Sequence, residues 1–69
     1  MEINIKFGNK VREERLKQKL SQEKLANMAE IDRTYLPDIE QGKRNVSLTI
    51  AKRIANALQV SLTNLLDGE

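Results

Sequence analysis

Apolar residues recur at helical spacing along most of this chain, and short oxygen-bearing residues interrupt them at intervals. Only the start differs. From Met1 to Lys6 the sequence alternates, with Ile3 and Ile5 set against Glu2, Asn4 and Lys6. Alternation suits a strand, but no second strand is available to pair with it. Residues 1–6 are therefore expected to form an N-terminal arm or a lead-in to a first helix. That helix is expected over about Lys6 to Lys19, with Phe7, Val11 and Leu16 near one face and Glu13–Lys17 and Glu14–Gln18 as i,i+4 pairs on others. Arg15 falls beside the apolar stripe. It either snorkels to solvent or enters a partly buried ion pair with a carboxylate from a later helix.

Two caps follow. Ser21 and Asp32 each precede an apolar-periodic run and can accept from the orphan N–H groups of a helix's first turn. Leu20 with Leu25, and Ile31 with Leu36, flank these caps at hydrophobic-staple spacing. The pattern predicts a second helix over 22–29 and a third over 33–41, joined by the short turn Glu30 to Asp32. Helices joined so tightly must cross steeply, as in a helix-turn-helix. Ala26 is the small residue facing the approaching third helix. Leu36, Ile39 and part of Tyr35 turn inward, while Arg33, Thr34 and Asp38 form the polar side. Pro37 stands at about the fifth helical position, where it lacks the N–H that would bond to the Arg33 carbonyl. An interior proline costs up to about 3 kcal/mol. So near the N-terminus a smaller cost is expected, with a kink or a 3₁₀-like first turn and a free Arg33 carbonyl.

Gly42 can end the third helix in a left-handed conformation. Lys43, Arg44 and Asn45 then make a basic loop. Val46 and Ser47 repeat the staple and cap before a fourth helix over 48–58, with Leu48, Ala51, Ile54, Ala55 and Leu58 inward. Val60, Ser61 and Leu65 repeat it again for a fifth helix over 62–66, and residues 67–69 are a polar tail. The expected fold class is all-α: a compact five-helix domain over 7–66.

Composition narrows the chemistry. A chain of 69 residues makes one domain without cysteine or histidine, which excludes disulfides and the usual zinc and haem ligand sets. No apolar run is long enough to span a membrane, and the polar start is no signal peptide, so a cytoplasmic location is expected. Twelve basic against ten acidic residues give a net charge of only +2. The distribution is more informative. Lys10, Arg12, Arg15, Lys17 and Lys19 crowd the first segment, and Lys43, Arg44, Lys52 and Arg53 the second half. A solvated mixed-charge surface accounts for such runs as readily as nucleic-acid binding does. No nucleophile with an obvious base and no glycine-rich phosphate loop is present, so no enzyme is expected, and neither a cofactor, a metal nor a small-molecule ligand is evident.

The phrases FGNKVREERLKQKLSQEKLA, IDRTYLPDIEQGKRNVSL and IANALQVSLTNLL together resemble the Cro/repressor-type, xenobiotic-response-element-like helix-turn-helix family. The stretch DRTYLPDIEQGKRN is especially similar to restriction–modification controller proteins. The resemblance runs from Phe7 to Leu66. It implies a lambda-repressor-like domain in which the second and third helices read double-stranded DNA. Arg33, Thr34 and Asp38 then fall on base-facing positions, Gln22 on a phosphate contact, and Lys43, Arg44 and Asn45 on the backbone-contacting loop. Arg15 and Glu40 match a buried ion pair. Glu30 stands where the family often has glycine, and Pro37 where a polar residue is common.

The mechanism expected is major-groove readout. Arg33 is the first candidate, bidentate to guanine O6 and N7. Thr34 can meet a thymine methyl or a phosphate. Asp38 can accept from a cytosine amine, orient Arg33 or cap locally. Tyr35 either packs against the corner between the second and third helices or reaches a phosphate. A homodimer on an inverted-repeat operator would double the contacts, and Val60, Leu62, Leu65 and Leu66 are the candidate seam. Each of these four can instead close the monomer core. The rival reading is an antitoxin-like or regulatory domain whose main partner is another protein, and the chain fits either a complete small regulator or a domain of a larger one.

Overall fold

Five helices follow in chain order: α1 (Glu2–Lys17), α2 (Gln22–Ala29), α3 (Tyr35–Glu40), α4 (Leu48–Leu58) and α5 (Leu62–Asp67). They come from a computed structural model that describes residues 2–67. No strand occurs among the described residues. Gly68 and Glu69 of the expected polar tail lie outside them.

Helix α1 begins at Glu2 rather than at Lys6. The alternation of residues 2–6 misleads because Ile3 also stands four residues before Phe7, and this helical spacing prevails. The buried stripe is Phe7, Gly8, Val11 and Arg15, whereas Leu16 is half-exposed. Helix geometry explains the correction. Arg15 lies about 40° round the axis from Val11, but Leu16 lies about 140° away. The surface pairs also differ from expectation. Lys10 meets Glu13 and Lys17 meets Glu14, each at 3.3 Å and i,i+3 spacing. Gln18 turns instead to the Leu58 carbonyl at 2.8 Å.

The connections share one device. After α1, α2, α3 and α4 a residue enters the left-handed region: Lys19, Glu30, Gly42 and Gln59. The next N–H then reaches back to a carbonyl five residues earlier, Leu20 to Arg15, Ile31 to Ala26, Lys43 to Asp38 and Val60 to Ala55, at 2.9–3.1 Å. These are Schellman closures. Three of the four left-handed residues are not glycine and accept a strain of about 1 kcal/mol each. After α1 and α4 the closing residue, Leu20 or Val60, is also the apolar residue before the next cap. Ser21, Ser47 and Ser61 accept from the backbone N–H groups of Lys24, Ile50 and Asn64 at 3.0–3.1 Å.

The core is assembled from all five helices, with α2 packed chiefly on α4 and α1 on both α3 and α5. Leu25, Ala26, Leu36, Ile54, Ala55 and Leu65 lose all solvent contact. One expectation fails here. Leu48 is 78% exposed, because the first residue of α4 projects past the bundle rather than into it. Of the two roles open to Leu65, the structure shows closure of the monomer core, where it is fully buried. Val60, Leu62 and Leu66 are only partly buried. Among the described residues no helix is long and apolar enough to cross a membrane.

Candidate nucleic-acid interface

The anchor comes first. Arg15 of α1 donates from Nε to Glu40 Oε2 at 2.7 Å and from Nη2 to Oε1 at 3.1 Å, a two-pronged pair. Its Nη1 reaches the Leu20 carbonyl at 2.7 Å. Both side chains are nearly inaccessible, at 10% and 2%. A buried ion pair needs this kind of saturation to offset its desolvation. The pair fixes the end of α3 against both ends of the α1–α2 connection. Gln22 completes the group by donating to Glu40 Oε1 at 3.1 Å. An amide nitrogen carries two donors, so one remains for an outward contact.

The start of α3 lies later than expected. Arg33 and Thr34 form a tight turn, and the helix proper runs Tyr35–Glu40. Tyr35 and Leu36 donate to the carbonyls of Asp32 and Arg33 at 3.1 and 3.3 Å, which is 3₁₀ spacing. Pro37 is therefore the third residue of the helix, not its fifth, and falls where a backbone N–H has no helical partner anyway. The Arg33 carbonyl is not left free, since Leu36 serves it. Asp32 organises the turn. Its Oδ1 accepts from Thr34 N at 2.8 Å and from Thr34 Oγ1 at 2.7 Å. These two hydrogen bonds, the backbone one foremost, hold its carboxyl below the usual 3.8. The Thr34 hydroxyl is thus engaged by Asp32 at the exposed turn.

Around this turn the polar side chains converge. Arg33 Nη1 lies 3.4 Å from Glu23 Oε2, and about two-thirds of each side chain is exposed. Arg44 lies over the Tyr35 ring, 4.6 Å from its centre, and 3.8 Å from Asp38 Oδ2. Tyr35 thus neither fills the corner nor stands alone; it seats a cation. Asp38 faces Arg44, not Arg33. Asn45 Oδ1 accepts from Asn4 Nδ2 at 2.7 Å, which ties the basic loop to the first turn of α1. Lys43 is exposed and makes no ion pair among the described residues.

Gly42 and Gly8 make this arrangement possible. A Cβ at Gly42, with φ of 73°, would come within 2.8 Å of Ile5 Cα. A Cβ at Gly8 would land on the Ile39 carbonyl oxygen and lie 2.8 Å from that of Glu40. Helix α1 crosses α3 at that point and braces the loop that follows it.

Across α2, the turn, α3 and the loop, contacts thus join Gln22 to Glu40, Arg33 to Glu23, Thr34 to Asp32, Tyr35 and Asp38 to Arg44, and Asn45 to Asn4. Sequence reasoning missed Glu23, Asn4 and Gly8. Glu23 carries no signal, because its pairing depends on how α2 meets the turn. Gly8, a glycine one residue after Phe7 inside a helical pattern, was a readable signal of close backbone approach.

Comparisons with known proteins agree with this fold. The helix-turn-helix family model matches residues 11–65. The chain is 52% identical over 66 residues to the control protein C.BamHI of Bacillus amyloliquefaciens, covering 94% of this chain and 82% of that protein. It is 46% identical to the control protein C.MunI of a Mycoplasma species, covering 93% and 88%. The crystal structure of the restriction–modification controller protein C.AhdI from Aeromonas hydrophila superposes with a TM-score of 0.89 at 40% identity, over 94% of this chain and 98% of that one. With its capped helices and the short exposed turn between α2 and α3, this chain belongs to the helix-turn-helix family of DNA-binding transcription regulators, among proteins of the controller and repressor type.

Proposed function

We propose that this protein is a sequence-specific regulator that inserts the α3 end of its helix-turn-helix into the DNA major groove and binds an inverted-repeat operator as a homodimer in the cytoplasm. One observation carries the reading. Arg33, Thr34 and Tyr35 stand exposed at the leading end of a helix whose far end is locked to α1 by the Arg15–Glu40 pair. A rigidly held helix end with a projecting guanidinium suits base readout, since each base pair offers the major groove a distinct pattern. Arg33 takes guanine O6 and N7, Thr34 presents its methyl to thymine, and Asp38 accepts from a cytosine amine. Gln22, Tyr35, Lys43, Arg44 and Asn45 contact phosphates and fix the register.

The dimer follows from reach. The molecule measures 26 Å along its longest axis. Half-sites lie about 34 Å apart, one helical turn, so one copy cannot read both. The seam is assigned to Val60, Leu62 and Leu66, with Leu48. The last three line a shallow apolar groove together with Ile3 and Phe7.

Selection of bound duplexes from a random pool, at physiological salt with competitor DNA, tests the reading. An enriched inverted repeat with half-sites about one turn apart supports it. A single enriched half-site removes the dimer. Absence of enrichment removes base readout and turns attention to a protein partner.

A further inference from the structure

Around the turn proposed to face DNA, cations stand beside carboxylates: Arg33 beside Glu23 and Arg44 beside Asp38, with Asp32 next to Arg33 in the chain. Carboxylates on such a surface oppose non-specific attraction to phosphate, which rests on neutralised charges. Two nearby carboxylates have local roles: Asp32 closes the turn through Thr34, and Asp38 meets Arg44 beside Tyr35. Glu23 closes no turn in this way; its local role is limited to complementing the positive end of α2. It sits in the first turn of α2, exposed, and its one polar partner among the described residues is Arg33.

The geometry of that contact is selective. Arg33 Nη1 and Glu23 Oε2 approach to 3.4 Å. A guanidinium has five N–H donors in a fixed plane. The remaining edge, Nε with Nη2, is the fork that matches the two acceptors of guanine. A guanine edge can be met while the carboxylate stays in place. A phosphate fits the same fork but brings a full negative charge towards that of Glu23, so it is disfavoured relative to the neutral guanine edge.

We propose that Glu23 is a positioning residue for specificity: it aims Arg33 at guanine and keeps it from settling on phosphates. This rests on the reading above, in which Arg33 reads a base. The contact persists in the specific complex and is lost in the non-specific one, so it widens the gap between them.

The test is a double-mutant cycle of Glu23→Gln and Arg33→Ala. Affinities are measured for the duplex recovered by selection and for a scrambled duplex of the same length and composition. Glu23→Gln keeps the shape and removes the charge. It is expected to lower the selected-to-scrambled ratio about two- to five-fold, the scale of one exposed ion pair. In the Arg33→Ala background it should leave the ratio unchanged. An equal gain on both duplexes would reduce Glu23 to a plain surface charge and overturn the proposal. A fall in the ratio that persists without Arg33 would overturn it as well. If Arg33→Ala alone leaves the ratio at the wild-type value, the base-reading role of Arg33 itself is wrong, which is a separate failure from that of Glu23.

Discussion

Gly8 is where two backbones meet, and no other residue fits there. An added methyl group would collide with main-chain carbonyl oxygens of α3, which cannot move aside as a flexible side chain would. Gly8→Ala is expected to destabilise the fold by about 2 kcal/mol or more, as overpacking does. Thermal or urea unfolding measures it, and an unchanged midpoint would show that α1 and α3 do not cross so closely. Asp32 acts at the same scale through charge. Its folded carboxyl titrates below its ordinary value because Thr34 donates to the ionised form twice. A group with a depressed folded value contributes stability above its unfolded value, and this is lost as pH falls through the folded one. Acidification below the usual carboxylate range should therefore weaken the α2–α3 turn. Asp32→Asn should already have lost this contribution at neutral pH and show a flatter stability profile through that window; an acid profile identical to wild type would contradict the role.

At the scale of elements, α3 is held more by its neighbours than by itself. Six residues with a proline among them form a weak helix on their own. The Arg15–Glu40 pair, Gly42 and the packing of Leu36 and Ile39 supply the rest. Glu40→Ala leaves the Arg15 guanidinium buried and unpaired, and a loss of about 3–5 kcal/mol is expected in chemical denaturation. A loss below 1 kcal/mol would mean that the pair behaves as a surface pair. The same element shows what a sequence reveals. Caps at Ser21, Ser47 and Ser61 act locally and were legible from residue type and spacing. So were the bounds of α2 and α4, set by caps on one side and apolar periodicity on the other. The bounds of α1 and α3 were not. Residues 2–6 satisfy two periods at once, and packing decided between them. The turn at Arg33 and Thr34 depends on Asp32 serving Thr34, which no spacing rule distinguishes from an ordinary cap. Pairings such as Arg33–Glu23, Arg44–Asp38 and Asn4–Asn45 require the crossing of elements and were out of reach of a linear reading. Of the candidate site, the Arg15–Glu40 pair was legible through the family resemblance; the partners of its exposed residues were not.

At the scale of the molecule, an apolar groove between α1, α4 and α5 lies open, lined by Ile3, Phe7, Leu48, Leu62 and Leu66 among others. Leu48 is its most exposed large apolar residue and makes little contribution to the monomer core. Leu48→Glu should leave the fold intact and weaken self-association by more than about tenfold, since burial of one leucine contributes about 1.5–3 kcal/mol. Sedimentation equilibrium reads this directly. A mass unaltered by the substitution would place the seam elsewhere, and a monomer in the wild type would remove it.

The claim on which these scales converge is that α3 reads bases through Arg33. Its most direct measurement compares wild type with Arg33→Ala on the selected duplex and on random-sequence DNA at one salt concentration. A loss of about 1–3 kcal/mol on the selected duplex, with a much smaller loss on random DNA, is the predicted result. Equal losses on both would make Arg33 a phosphate contact and contradict the account.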